Sequence, residues 1–303
     1  MTRQTLHRPV KTALGITVLL IVSTTLVGSP PEASSEAKKD KATPETGKKA
    51  DEQARRAAEQ WVREIEIEIR SADKWTKAER IDKPVLFFSD PTRHDNRGSV
   101  WAWGKKGRSI ALLEIFHKLD PRPFWVFAIC NTSGGKLRAR RADAPWWLEN
   151  DSAIEFKDIP SAPRVATDSN VRQRQLKLLA QKFTAHEIYN PKNTRYDLRR
   201  LERPLYTYRD ERGGILEGGL FTFANGTNPE IMLFIEATVD RKGKSAPVWR
   251  YGVARSANAE LHLEHDGKEV FMAPRGDRIS GRNRPFWSSG LRSGLRETHG
   301  NPP

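Results

Sequence analysis

Lys83-Pro84-Val85-Leu86-Phe87-Phe88 and Arg203-Pro204-Leu205-Tyr206-Thr207-Tyr208 open two stretches that read as copies of one another. Fourteen residues after each proline stands a glycine, Gly98 and Gly218. Each glycine leads into an aromatic alternation, Val100-Trp101-Ala102-Trp103 in one stretch and Leu220-Phe221-Thr222-Phe223 in the other. The next segments, Ile110 to Ile115 and Met232 to Ala237, match after a two-residue insertion. Trp125-Val126-Phe127 then matches Trp249-Arg250-Tyr251, and Leu137-Arg138-Ala139 matches Leu261-His262-Leu263. Apolar residues at every second position are the pattern of strands with one buried face.

A helical pattern precedes each stretch. Ala54, Ala58, Trp61, Ile65 and Ile69 recur at steps of three and four, which predicts a helix over 51–70. Leu176, Leu179, Ala180 and Phe183 predict a second over 168–188, with Asp168 or Ser169 as N-cap and Asn190-Pro191 as the stop. The expected fold class is therefore α+β. Two tandem pseudo-repeats, 51–160 and 161–275, would each be a helix followed by an antiparallel meander of about five strands.

Outside these units, Arg3, His7, Arg8 and Lys11 precede an uncharged run from Thr12 to Val27. A basic start before an apolar segment of roughly 7–15 residues is the pattern of an export signal, whereas a bilayer-spanning helix needs about 20. Residues 1–37 are expected to be a signal peptide, or a membrane anchor where cleavage fails, and 38–50 a polar spacer. The protein would then be periplasmic or secreted. Residues 276–303 carry arginines among Gly, Ser and Pro and read as a disordered basic tail. Cys130 is the single cysteine, so an intrachain disulfide is excluded. The net charge of +14 predicts attraction to polyanions: an anionic cell-envelope polymer or a membrane surface. Nucleic acid suits the charge but fits poorly with export.

The wording of the blocks resembles a family of exported planctomycete bacterial proteins of unknown activity. The resembling residues are Phe88-Ser89-Asp90-Pro91, Gly98 to Gly104, Arg203-Pro204-Leu205-Tyr206, Phe221 to Glu236 and Trp249-Arg250-Tyr251. The resemblance spans roughly residues 50–275. It implies an exported compartment and no particular chemistry.

No converging catalytic motif stands out. Cys130 lies in an apolar strand without a local base, and the spacing of His262, Glu264 and His265 suits a solvated strand face better than a metal site. Glu114 and Glu236 fall at matching positions in apolar strands and, with Glu217, are the candidate catalytic carboxylates, since burial can raise a carboxyl into acid–base range; the favoured alternative for Glu114 and Glu236 is a structural place on the solvent face of their strands. Trp146 and Trp147, close behind Arg138 and Arg140, are the candidate ligand-binding group, because aromatics beside arginines can stack on sugars or anionic polymers; the favoured alternative is that they cap the core at the unit boundary. No cofactor and no metal is expected. The reading is a non-enzymatic binding or structural component of the envelope; the alternative is an exported hydrolase with its carboxylates in a cleft between the units.

Overall fold

The computed structural model describes residues 44–90, 96–118, 123–152, 154–189, 193–239, 245–276 and 279–291. The segment expected to be an export signal lies outside the described residues. The first helix, α1 (Pro44–Arg63), begins inside the expected polar spacer and ends earlier than the periodicity predicts. Ile65, Ile67 and Ile69 belong instead to a strand, β1 (Ile65–Ser71), with Ile65 and Ile67 buried and Glu66 exposed between them. Trp61, Ile65 and Ile69 satisfy a four-residue step, but Ile65-Glu66-Ile67-Glu68-Ile69 also satisfies a two-residue one, and β-branched residues favour the strand.

The same substitution of strand for helix occurs at α2 (Ser169–Gln181). Asp168 is its N-cap, accepting at 3.0 Å from the Val171 amide. The helix stops at Lys182, and Phe183–Tyr189 forms a strand, β10, with Phe183, Ala185 and Glu187 facing inward.

Three sheets are present among the described residues. A four-stranded sheet runs β2 (Lys74–Lys77), β1, β7 (Leu137–Arg141), β8 (Ala144–Asn150). A five-stranded sheet runs β18 (Phe286–Leu291), β6 (Phe124–Asn131), β5 (Ala111–Lys118), β4 (Asn96–Trp103), β3 (Leu86–Asp90). The third, nine-stranded, runs β17 (Lys268–Ala273), β16 (Glu260–His265), β10, β11 (Thr194–Arg200), β13 (Ile215–Asn225), β14 (Asn228–Thr238), β15 (Val248–Arg255), β9 (Phe156–Asp158), with β12 (Tyr206–Asp210) also on β13. This sheet curls into a half-barrel.

The expected α+β pair of helix-plus-meander repeats is thus corrected. Among the described residues the fold is mostly β, with two helices and three sheets. The strand after each helix is not part of a sequential meander: β1 crosses to β7, and β10 crosses to β16. Nor do the two stretches close alike, because β11 pairs with β13 and fuses what would be two sheets into one. The basic tail is also partly ordered. Six of its residues pair along β6 as β18, burying Phe286 and Leu291.

Three apolar layers hold the sheets. The first lies between α1, the four-stranded sheet and one face of the five-stranded sheet, and it contains Trp61, Trp101, Trp103, Trp146 and Trp147. A central layer joins the other face of the five-stranded sheet to β12–β15, through Val100, Leu112, Leu220, Met232 and Phe234. The third lies inside the half-barrel, where α2 covers β13 and β14. Phe88 and Tyr208 enter the central layer directly opposite Gly98 and Gly218 on the next strand. A Cβ at those glycines would stand 2.3 Å from Phe88 Cζ and 2.4 Å from Tyr208 Cε2, so each ring occupies the space a side chain would need.

Burial of this extent sets a stability expectation. Trp103 is 1% exposed, and Trp103→Ala should cost about 3–5 kcal/mol in denaturant unfolding. Tyr196, 43% exposed, should change stability by less than about 0.5 kcal/mol when replaced by alanine.

Candidate functional site

In β14, alternate residues separate two layers. Ile231, Leu233, Ile235 and Ala237 face the half-barrel core, while Met232, Phe234 and Glu236 face the central layer. Glu236 is fully buried there. Arg108, from the turn between β4 and β5, crosses the layer to meet it, donating Nε to Oε1 at 2.6 Å and Nη2 to Oε2 at 2.7 Å. The Tyr208 hydroxyl donates to Oε1 at 2.7 Å. Beside it, Tyr206 accepts the Ser109 amide at 2.8 Å. The bidentate fork is the geometry in which a guanidinium and a carboxylate bind most strongly.

The electrostatics follow from burial and this pair. Burial pushes the Tyr206 hydroxyl up to about 12, and burial with the nearby Glu236 charge holds Tyr208 well above its ordinary value. Burial alone would lower Arg108, but its bonds to Glu236 and that carboxylate's charge more than offset this and raise it. The Arg108 guanidinium also lies 3.8 Å over the Phe156 ring. Both phenols are therefore neutral at ordinary pH, and Tyr208 serves as a donor.

The charges continue across the sheet. Glu236 stands opposite Arg250 on β15, and Arg250 stands opposite Asp158 on β9. Arg250 donates Nη2 to the Phe156 carbonyl at 2.5 Å, and its Nε lies 3.2 Å from Asp158 Oδ1. A cleft of about 510 Å³ opens over this row and is lined by Arg108, Glu236, Asp158 and Arg250. Each charge in it faces an opposite one.

The other candidate carboxylates lie elsewhere. Glu114 also faces the central layer, 2% exposed, but accepts from the Ser256 hydroxyl at 2.7 Å. Glu114 and Glu236 were expected to match in position, yet the pairings disagree. Leu113 pairs with Trp101 and Leu233 with Phe221, which aligns Glu114 with Phe234 and leaves Glu236 two residues further on. Glu217 lies on the opposite face of the nine-stranded sheet at the start of α2. It accepts from Ser169 Oγ at 3.0 Å, with Arg209 Nη2 at 3.1 Å. A carboxylate there also complements the helix dipole. The structure therefore does not bring the three together.

Trp146 and Trp147 are buried, at 3% and 0% exposure, and offer no stacking face to a ligand. Trp146 packs among Trp61, Phe127 and Trp287, and Trp147 donates its indole N–H to the Arg284 carbonyl at 2.9 Å. Arg138 and Arg140 stand on β7 directly opposite Glu68 and Glu66 of β1. Arg138 donates Nε to Glu68 Oε2 at 2.7 Å and stacks over Trp75, and Arg140 donates to the Asp143 carbonyl at 2.5 Å. These arginines complete a cross-strand charge pattern.

Cys130 is buried, and burial pushes its thiol up to about 12, so it is a neutral apolar group at ordinary pH. His262 meets Glu269 at 2.6 Å and stacks on His186 at 4.5 Å between ring centres. Among the described residues, no group of three or more His, Cys, Asp and Glu is arranged to hold a metal ion. None of the described helices is long and apolar enough to cross a membrane.

Sequence reasoning missed Arg108, Tyr208, Arg250 and Asp158. One signal pointed to them: Tyr208 replaces the apolar Phe88, while an acidic residue interrupts the apolar run of β14. No known family model, curated protein or solved structure matches this chain.

Removing one partner of the buried pair should be costly. Arg108→Met, which strands the Glu236 carboxylate, should lower unfolding free energy by about 3–5 kcal/mol. Combining it with Glu236→Leu should recover most of that loss, as read by a double-mutant cycle in denaturant.

Proposed function

We propose that this protein is a non-enzymatic binding or structural component of the cell envelope, attracted by its charge to anionic polymers or surfaces. One observation carries the choice against catalysis. Glu114, Glu217 and Glu236 are each buried against a different partner, Ser256, Ser169 with Arg209, and Arg108 with Tyr208. General acid–base chemistry needs a carboxyl group within reach of substrate and free to exchange a proton. Both oxygens of Glu236 are engaged by the Arg108 guanidinium rather than held open toward a substrate. The alternative of an exported hydrolase using these three groups in one cleft loses its convergent set.

The attraction rests on a basic surplus of 52 lysines and arginines over 38 acidic residues. Such a field concentrates polyanions at the surface without a shaped pocket, and salt screens it. The exported location follows from the basic and apolar leader and from the family resemblance. The envelope's anionic polymers and lipids are then the polyanions within reach.

The test is retention on heparin and on anionic liposomes across a salt gradient. The full chain should elute at clearly higher salt than a neutral protein of equal size, and a chain ending at Leu291, without Arg292 and Arg296, should elute earlier. Elution of the full chain with the neutral control would refute the electrostatic attachment.

A further inference from the structure

α2 presents two unlike faces. Leu176, Leu179 and Ala180 are buried where the helix covers β13 and β14. Arg174, Lys177, Leu178 and Gln181 are exposed, and steps of three and four set them on one outward stripe. Leu178, at 62%, is the most exposed large apolar side chain among the described residues.

The stripe is cationic and uncompensated. α2 contains Arg172, Arg174 and Lys177 and no Asp or Glu. Arg172 turns inward, donating to the Thr167 carbonyl at 2.6 Å with its Nε 3.8 Å from Glu217. Arg174 and Lys177 have no ion pair or side-chain hydrogen bond among the described residues. α1 is built the other way, since Glu52 pairs with Arg56 and Glu59 with Arg63 one turn apart. An acid in the first turn would also stabilise a helix through its dipole, and α2 has none there. The same sign continues beside the helix. Arg164, whose carbonyl accepts from Gln175 at 2.8 Å, is exposed, and so is Lys268, in the hairpin whose turn bonds the Lys182 carbonyl. Asp168 and Asp266 stand at the two ends of the helix, away from its middle.

Unpaired cations around an exposed leucine complement an anionic bilayer. The cations meet phosphate head groups, and the leucine passes between them to the acyl boundary. A sugar polymer would use the cations and leave the leucine in water. We propose that α2 is the surface through which this protein sits on an anionic lipid bilayer, with Leu178 entering it beside Arg174 and Lys177. This rests on the envelope reading above and names the element that makes the contact.

The experiment places an environment-sensitive fluorophore on Leu178→Cys in the full chain. Cys130 is buried, with its thiol pushed up to about 12, and stays unlabelled. Phosphatidylglycerol vesicles should shift the emission to the blue, and phosphatidylcholine vesicles should leave it unchanged. The same label on Leu148→Cys, an exposed position on β8, should not respond. In co-sedimentation, Arg174→Gln with Lys177→Gln should weaken binding to phosphatidylglycerol vesicles about twenty-fivefold, from about fivefold per charge. Lys74→Gln with Lys77→Gln, an equal loss of charge on β2, should weaken it less than about threefold. Leu178→Gln should weaken vesicle binding about tenfold and leave elution from heparin unchanged. Circular dichroism verifies that each variant is folded. Vesicle binding with an unmoved label at 178, or equal losses in the two double variants, overturns α2 as the contact and leaves the electrostatic attachment standing. Retention on heparin without binding to phosphatidylglycerol vesicles overturns the bilayer in favour of a polymer. Retention on neither overturns the electrostatic attachment, and this contact with it.

Discussion

Two sheets meet face to face across a layer that is apolar except for a few buried polar groups, and those groups can be satisfied only in one alignment. Arg108 must reach Glu236, Ser256 must reach Glu114, and the Ser109 amide must reach Tyr206. Each contact joins the five-stranded sheet, or its loops, to the β12–β15 face. A slip between the sheets would strand a buried carboxylate, at a cost of several kcal/mol, while leaving the apolar contacts nearly as good. Apolar burial drives the layers together, and the ion pair selects how they align. The outer layers then follow: α1 and the four-stranded sheet cover one side, and α2 with the half-barrel covers the other.

Much of the β content was legible, because tight alternation around Trp101, Trp103, Phe221 and Phe223 has one structural meaning. The helix ends were not. Ile65 and Ile69 fit a helical step and a strand step equally, and Phe183 does the same after α2. The tie is broken by partners far along the chain, Ala139 and Leu137 for β1, Leu263 and Leu261 for β10. No local pattern carries that information. The fusion through β11 is equally non-local, since it rests on two pairings, Arg199 with Ala224 and Arg200 with Phe223. The glycines that matched so well in sequence have a direct physical cause: Phe88 and Tyr208 lie across them.

The candidate site was less legible than the fold. Glu236 was singled out as an acidic residue in an apolar strand, a position that calls for a partner. The partner, Arg108, is 128 residues away in a turn, and turn arginines are ordinarily solvent-facing. Trp146 and Trp147 are the opposite case. Adjacent aromatics near arginines suggest a binding surface, but β8 has a bulge in its pairing with β7 that lets both indoles turn inward. Arg138 and Arg140 then face acidic residues on β1 rather than a ligand.

The central layer is then a single cooperative contact rather than a hinge between two independent bodies. Amide hydrogen exchange in native conditions measures this strand by strand. The amides of β5 and β14 should open with the same free energy, close to that of global unfolding. Opening of one of these strands several kcal/mol more easily than the other would contradict it, because the two sheets would then separate before they unfold.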